Sequence, residues 1–135
     1  MKQNKYTTGV LIANAVFLAV GAVILLGFGQ RLFGALLGLP DATGFLWLLL
    51  GVCALALAFL SGAAAWARDP RFSLIAVITL MIFQVGSALV SFILGLTTNP
   101  TVFANFAPHL VFGILLGIAW WRLGAIHQMA SAGST

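Results

Sequence analysis

Between Arg71 and Arg122 the chain runs fifty residues without a Lys, Arg, Asp or Glu. A soluble domain needs polar groups to cover its outer face, and a stretch of this length has too few to do so. The remaining charges, Lys2, Lys5, Arg31, Asp41, Arg68 and Asp69, stand at the edges of further long apolar blocks. A hydrocarbon core about 30 Å thick is crossed by ~20 helical residues, and the blocks have that length. With 62% hydrophobic and 6% charged residues among 135, disorder and an ordinary soluble globule are both excluded. One membrane domain is the expectation.

The charge-free block is long enough for two crossings. Its natural break is Thr97-Thr98-Asn99-Pro100-Thr101, where Asn-Pro and the threonines favour a turn and supply helix caps. Four spans follow, at about residues 6–30, 42–67, 72–96 and 101–121. The apolar runs are continuous and do not alternate, and every backbone donor must be satisfied within lipid, so the spans are helices. The fold class is therefore all-α, a polytopic four-transmembrane-helix bundle. Arg68-Asp69-Pro70-Arg71 reads as a tight turn joining spans two and three in an antiparallel hairpin, and Asn99-Pro100 joins spans three and four in another.

Residues 32–40, with Gly34 and Gly38, are apolar but too short to cross. They are expected to lie at the outer interface, with Arg31 and Asp41 among the headgroups. Residues 123–135 turn small and polar after His127, and a frayed tail is expected. The first apolar run, at 25 residues, is longer than the ~7–15 of a signal sequence and lacks a convincing cleavage site, so it is read as a retained span.

Lys2, Lys5, Arg68, Arg71 and Arg122 fall on one side of this arrangement and Arg31 alone on the other. By the positive-inside rule both termini are expected to be cytoplasmic. Tyr6, Trp66, Trp120 and Trp121 at the inner ends, and Trp47 near the outer end of span two, occupy aromatic-belt positions. Six basic residues spread along the chain form no patch for nucleic acid, so none is expected as a partner. Cys53 is the sole cysteine, which excludes an intrachain disulfide and thiol-pair chemistry and leaves it as a small apolar residue.

Lipid supplies little hydrophobic drive between helices, so close approach of small residues must supply much of the packing energy. In span two, Gly51, Ala54, Ala58, Ser61 and Ala65 recur at steps of three and four along one face. Ser87, Ser91 and Gly95 in span three, Gly113 and Gly117 in span four, and Ala15, Ala19 and Ala22 in span one are the matching candidates. Packing within the bundle is the first use of these faces, and a homo-oligomer interface is the alternative.

No carboxylate, lysine or arginine lies inside a span, which argues against proton- or ion-coupled transport. The polar residues at depth are Asn14, Gln84 at the centre of span three, and His109, with Thr79 and Ser87 as lesser groups. The Gln84 amide must meet another helix, water or a ligand. His109 follows Pro108. If the fourth helix begins at Asn99-Pro100, Pro108 lies within it and His109 points into the outer half of the bundle; if it begins near Pro108, His109 sits at the headgroups. The first placement is preferred, because the second leaves few apolar residues before Arg122.

A buried histidine can hold haem iron, meet a quinone oxygen or carry a proton. No second intramembrane histidine is present for bis-histidine haem ligation, because His127 lies beyond Arg122. No catalytic residue and no metal site is identified, and no cofactor is predicted, with quinone or haem the ones His109 could take.

The layout of four short-looped spans resembles the DoxX-like group of small bacterial membrane proteins. The resemblance rests on Gly21 in the first helix, the outer loop ending in Leu39-Pro40-Asp41, the Arg68-Asp69-Pro70 inner turn, and His109 followed by glycine-bearing apolar sequence to Gly117. It covers most of the chain in layout and carries over no functional residue. It implies a four-helix protein, in some cases associated with quinone-linked oxidoreductase partners.

The expectation is a non-enzymatic structural, anchoring or accessory component of a bacterial inner membrane, in contact with lipid and with a membrane-protein partner or copies of itself. The alternatives are binding or transport of quinone or lipid through a pocket near the ligand candidates Gln84, His109 and Asn14, and a membrane subunit of an oxidoreductase complex.

Overall fold

The computed structural model describes residues 4–29, 31–32, 44–97 and 100–132, with the side chains of residues 45, 101 and 125–132 left aside. Four long helices make up the fold: α1 (Lys5–Gly29), α2 (Gly44–Ala67), α3 (Pro70–Thr97) and α4 (Phe103–Ala132), with a 3-10 turn at Pro100–Val102 leading into α4. Each is long and apolar enough to cross a membrane. The outer loop expected at residues 32–40 falls, after Leu32, outside the described residues, as do Lys2 and Asp41.

The helices carry large apolar side chains on their outer faces as well as their inner ones. Phe59 is 78% exposed, and Ile82, Leu96, Ile75 and Val23 are likewise well exposed. A surface of this kind is stable only against hydrocarbon, since in water it would be one continuous adhesive patch. The interior is built from smaller residues: Ala22, Ala54, Ala58, Ala64, Ala76, Ala88 and Ala119 are buried beside Leu11, Leu80, Leu116 and Leu123. Small inside and large outside lets backbones approach closely where dispersion must do the holding.

The packing is strongest between α1 and α2 and between α3 and α4, with lesser contacts from α2 to α3 and from α1 to α4. The bundle is thus a pair of antiparallel helix pairs closed into a ring, with α1 and α3 across one diagonal. The tight turn between α2 and α3 makes those helices sequential neighbours without making them the main packing pair. Glycine sets both main contacts. A Cβ on Gly51 would lie 2.7 Å from Leu26 Cγ in α1, and one on Gly95 would lie 3.0 Å from the Phe103 ring of α4.

The α2–α3 turn has a specific local cause. Arg68 adopts φ 53°, a left-handed conformation that follows the last helical residue and ends α2. Asp69 then caps α3: its Oδ1 accepts from the Arg71 N–H at 2.9 Å and its carbonyl from the Ser73 N–H at 2.9 Å. Pro70 occupies the first helical position, where no N–H is needed. Because a β-carbon strains the left-handed region, Arg68→Gly is expected to stabilise the fold by about 1 kcal/mol. Equilibrium unfolding in mixed micelles checks this, and a loss of stability would contradict it.

The fourth span, expected at residues 101–121, lies within an α4 that continues past it through Ala132. Leu123 is fully packed, and the sequence beyond it, Ala125-Ile126-His127-Gln128-Met129-Ala130, contains no helix breaker and several strong helix formers. Leaving the apolar zone does not end a helix unless a cap or breaker stands there.

Lys5, Arg68, Arg71 and Arg122 lie at one end of the bundle. Two contacts join α1 and α4 there: the Arg122 guanidinium stands 4.4 Å from the centre of the Tyr6 ring, and the Tyr6 hydroxyl donates to the Leu115 carbonyl at 3.4 Å.

Candidate functional site

The centre of the bundle contains a chain of polar side chains with one member from each helix. Ser61 of α2 donates its hydroxyl to the Leu11 carbonyl of α1 at 2.8 Å. Asn14 of α1 donates from Nδ2 to Ser61 Oγ at 3.3 Å and accepts at Oδ1 from Gln84 Nε2 of α3 at 2.6 Å. Gln84 Oε1 in turn meets His109 Nδ1 of α4. Asn14, Ser61 and Gln84 are completely buried and His109 is 9% exposed.

The placement of these groups follows from helix geometry. At 1.5 Å per residue, Ser61 and Asn14 stand about 9 and 14 Å along their helices from the basic end, and Gln84 about 21 Å along its own. The chain therefore climbs obliquely through the middle of the bundle. The Asn14–Gln84 bond crosses the diagonal and, within the polar chain, ties the α1–α2 pair to the α3–α4 pair. In a region without water, each unmade bond among these groups would leave a buried polar atom, so the four helices are held to one mutual register.

His109 is one residue past Pro108, which lies inside α4. The structure adopts the inward of the two placements considered, with a 3-10 turn from Pro100 preceding the α-helix; Asn99 lies outside the described residues. The imidazole is walled by aromatic rings. Phe17 meets it edge-on at 5.3 Å between ring centres and Phe83 edge-on at 6.2 Å, while Phe112 stacks on Phe17 at 4.8 Å.

Of the small-residue candidates, Gly51, Ala54, Ala58, Ser61, Ala65, Ser91, Gly95 and Gly113 are buried, and Ser87, Gly117, Ala15 and Ala19 are half-buried. Gly113 backs onto Val85 and Gly117 onto Met81. Ser61 has a second role that helical spacing alone does not show, since it is both a packing residue and the α2 member of the polar chain. Ser91 likewise accepts from Asn105 Nδ2 at 2.9 Å, a residue not singled out from the sequence. Thr79 sits on the exposed side and bonds back to the Ile75 carbonyl of its own helix at 3.0 Å, which satisfies its hydroxyl toward lipid. Cys53 is exposed on the outer face of α2.

Comparison with known protein families, with curated proteins and with solved structures found no match.

Proposed function

We propose that this chain is a structural or accessory component of a bacterial inner membrane, a four-helix bundle with both termini on the cytoplasmic side. The observation that carries this reading is where the polar capacity goes. Gln84 is occupied on both its oxygen and its nitrogen by His109 and Asn14, and Asn14 by Gln84 and Ser61. Groups bonded to one another in this way serve the bundle, and a pocket using Gln84 as a ligand contact would first have to break them.

The orientation rests on Lys5, Arg68, Arg71 and Arg122 sharing one end, which the positive-inside rule assigns to the cytoplasm. The layout shared with DoxX-like proteins favours a membrane-protein partner over a solitary role. Purification in mild detergent followed by native mass spectrometry tests this. The expected result is a protein partner or a second copy of the chain at fixed stoichiometry, and a monomer carrying one stoichiometric cofactor would contradict it. Ligand binding, the second reading, retains support from one atom, His109 Nε2.

A further inference from the structure

The hydrogen-bond directions in the polar chain fix the state of the histidine at its end. Ser61 gives its hydrogen to the Leu11 carbonyl, so Ser61 Oγ accepts from Asn14 Nδ2; Asn14 Oδ1 then accepts from Gln84 Nε2, and Gln84 Oε1 is left as an acceptor. Its partner, His109 Nδ1, must therefore carry a hydrogen. The four spans contain no carboxylate to balance an imidazolium, and the neutral ring carries only one N–H. Nε2 is thus a lone pair, and among the described residues it has no partner. The chain is not a proton wire, because two carboxamides interrupt it and a carboxamide N–H is not acidic near neutral pH.

We propose that His109 Nε2 is the acceptor in a binding site for an apolar molecule that carries a hydroxyl on an aromatic body. Three features select that class. The lone pair selects a donor, so a ligand with carbonyl or ether oxygens alone gains nothing from it. The position, six residues into α4 from Phe103 and so about 9 Å along the helix, selects a molecule soluble in hydrocarbon. The rings of Phe17 and Phe83, which meet the imidazole edge-on, with Phe112 stacked on Phe17, suit a flat aromatic partner. Sugars and cations fail the second condition. This goes beyond the structural reading: three members of the chain hold the bundle, and the outer nitrogen of the fourth is left for a ligand.

The test uses the full chain in lipid nanodiscs, labelled with 15N-histidine and carrying His127→Gln so that His109 gives the sole histidine signal. A long-chain para-alkylphenol is titrated in, and its methyl ether, which has the same apolar body without the donor, serves as the second arm. The expected result is a saturable shift of the Nε2 resonance with the phenol and none with the ether. Equal shifts with both, or none with either, would overturn the proposal. His109→Asn keeps an N–H donor near the Nδ1 position and leaves no acceptor at the Nε2 position, because its own Oδ1 lies closer to the helix. It is expected to retain the unfolding midpoint while weakening phenol binding about five-fold, the scale of one neutral hydrogen bond. Unchanged phenol affinity in that variant would also overturn the site, whereas a lowered midpoint with phenol-specific shifts intact in the parent would count only against the division of labour within the chain.

Discussion

Gln84→Met is expected to destabilise the bundle by about 2 kcal/mol, a shift of roughly thirty-fold in the folded-to-unfolded ratio. Methionine nearly matches glutamine in length and volume, so packing is preserved and the loss is electrostatic. The substitution orphans two buried groups at once, Asn14 Oδ1 and His109 Nδ1–H, which now meet Gln84 from opposite sides. Each orphan costs about 1 kcal/mol in a membrane interior, where individual interhelical hydrogen bonds have modest net worth because the separated helices find other partners. The same logic gives an opposite expectation for complete removal. Asn14→Leu, Ser61→Ala, Gln84→Met and His109→Phe together leave no partner behind and are expected to cost less than Gln84→Met alone. Unfolding in mixed micelles measures both. A quadruple variant much weaker than the single one would show that the bonds contribute more net stability than this account assigns.

Gly51→Ala is expected to cost about 1–3 kcal/mol, although alanine is the better helix former. The new methyl would sit 2.7 and 2.8 Å from Leu26 Cγ and Cδ2 and 3.2 Å from the Leu26 backbone nitrogen. The side chain can swing toward lipid, but the backbone cannot, so α1 must move away from α2 at their closest approach. Gly62 and Gly21 provide the internal control, since nothing lies within 4 Å of a β-carbon at either. Alanine there is expected to be neutral or to stabilise by up to about 1 kcal/mol through helix propensity. Equal costs at Gly51 and Gly62 would contradict the packing described.

The spans were legible because lipid demands length and apolarity, and Lys5, Arg68, Arg71 and Arg122 mark their ends. The Asp69-Pro70 start of α3 was legible for the same local reasons that make it form, a cap followed by a residue without an N–H. The continuation of α4 beyond its span, through Ala132, has no such mark, because neither a cap nor a breaker stands where the apolar sequence ends.

The polar chain was legible residue by residue but not as a chain. Asn14, Gln84 and His109 stand out as expensive groups in apolar sequence, yet the Asn14–Gln84 bond spans seventy residues and depends on which helices lie across the diagonal. Sequence places α2 beside α3 through their short turn, and the glycine contacts at Gly51 and Gly95 instead draw α2 to α1 and α3 to α4. Ser61 was hidden for another reason. A serine in a row of Gly and Ala reads as one more small residue, and only the Leu11 carbonyl and Asn14 amide opposite it give the hydroxyl a distinct role.

A hydrogen bond between Asn14 and Gln84 ties the two helix pairs together inside the bundle. A double-mutant cycle on Asn14→Leu and Gln84→Met, read by reversible unfolding in one lipid–detergent mixture, measures that bond directly. The expected coupling is about 1 kcal/mol, with the double variant less damaged than the sum of the single ones. Strictly additive losses would show that the two side chains do not interact, and would contradict it.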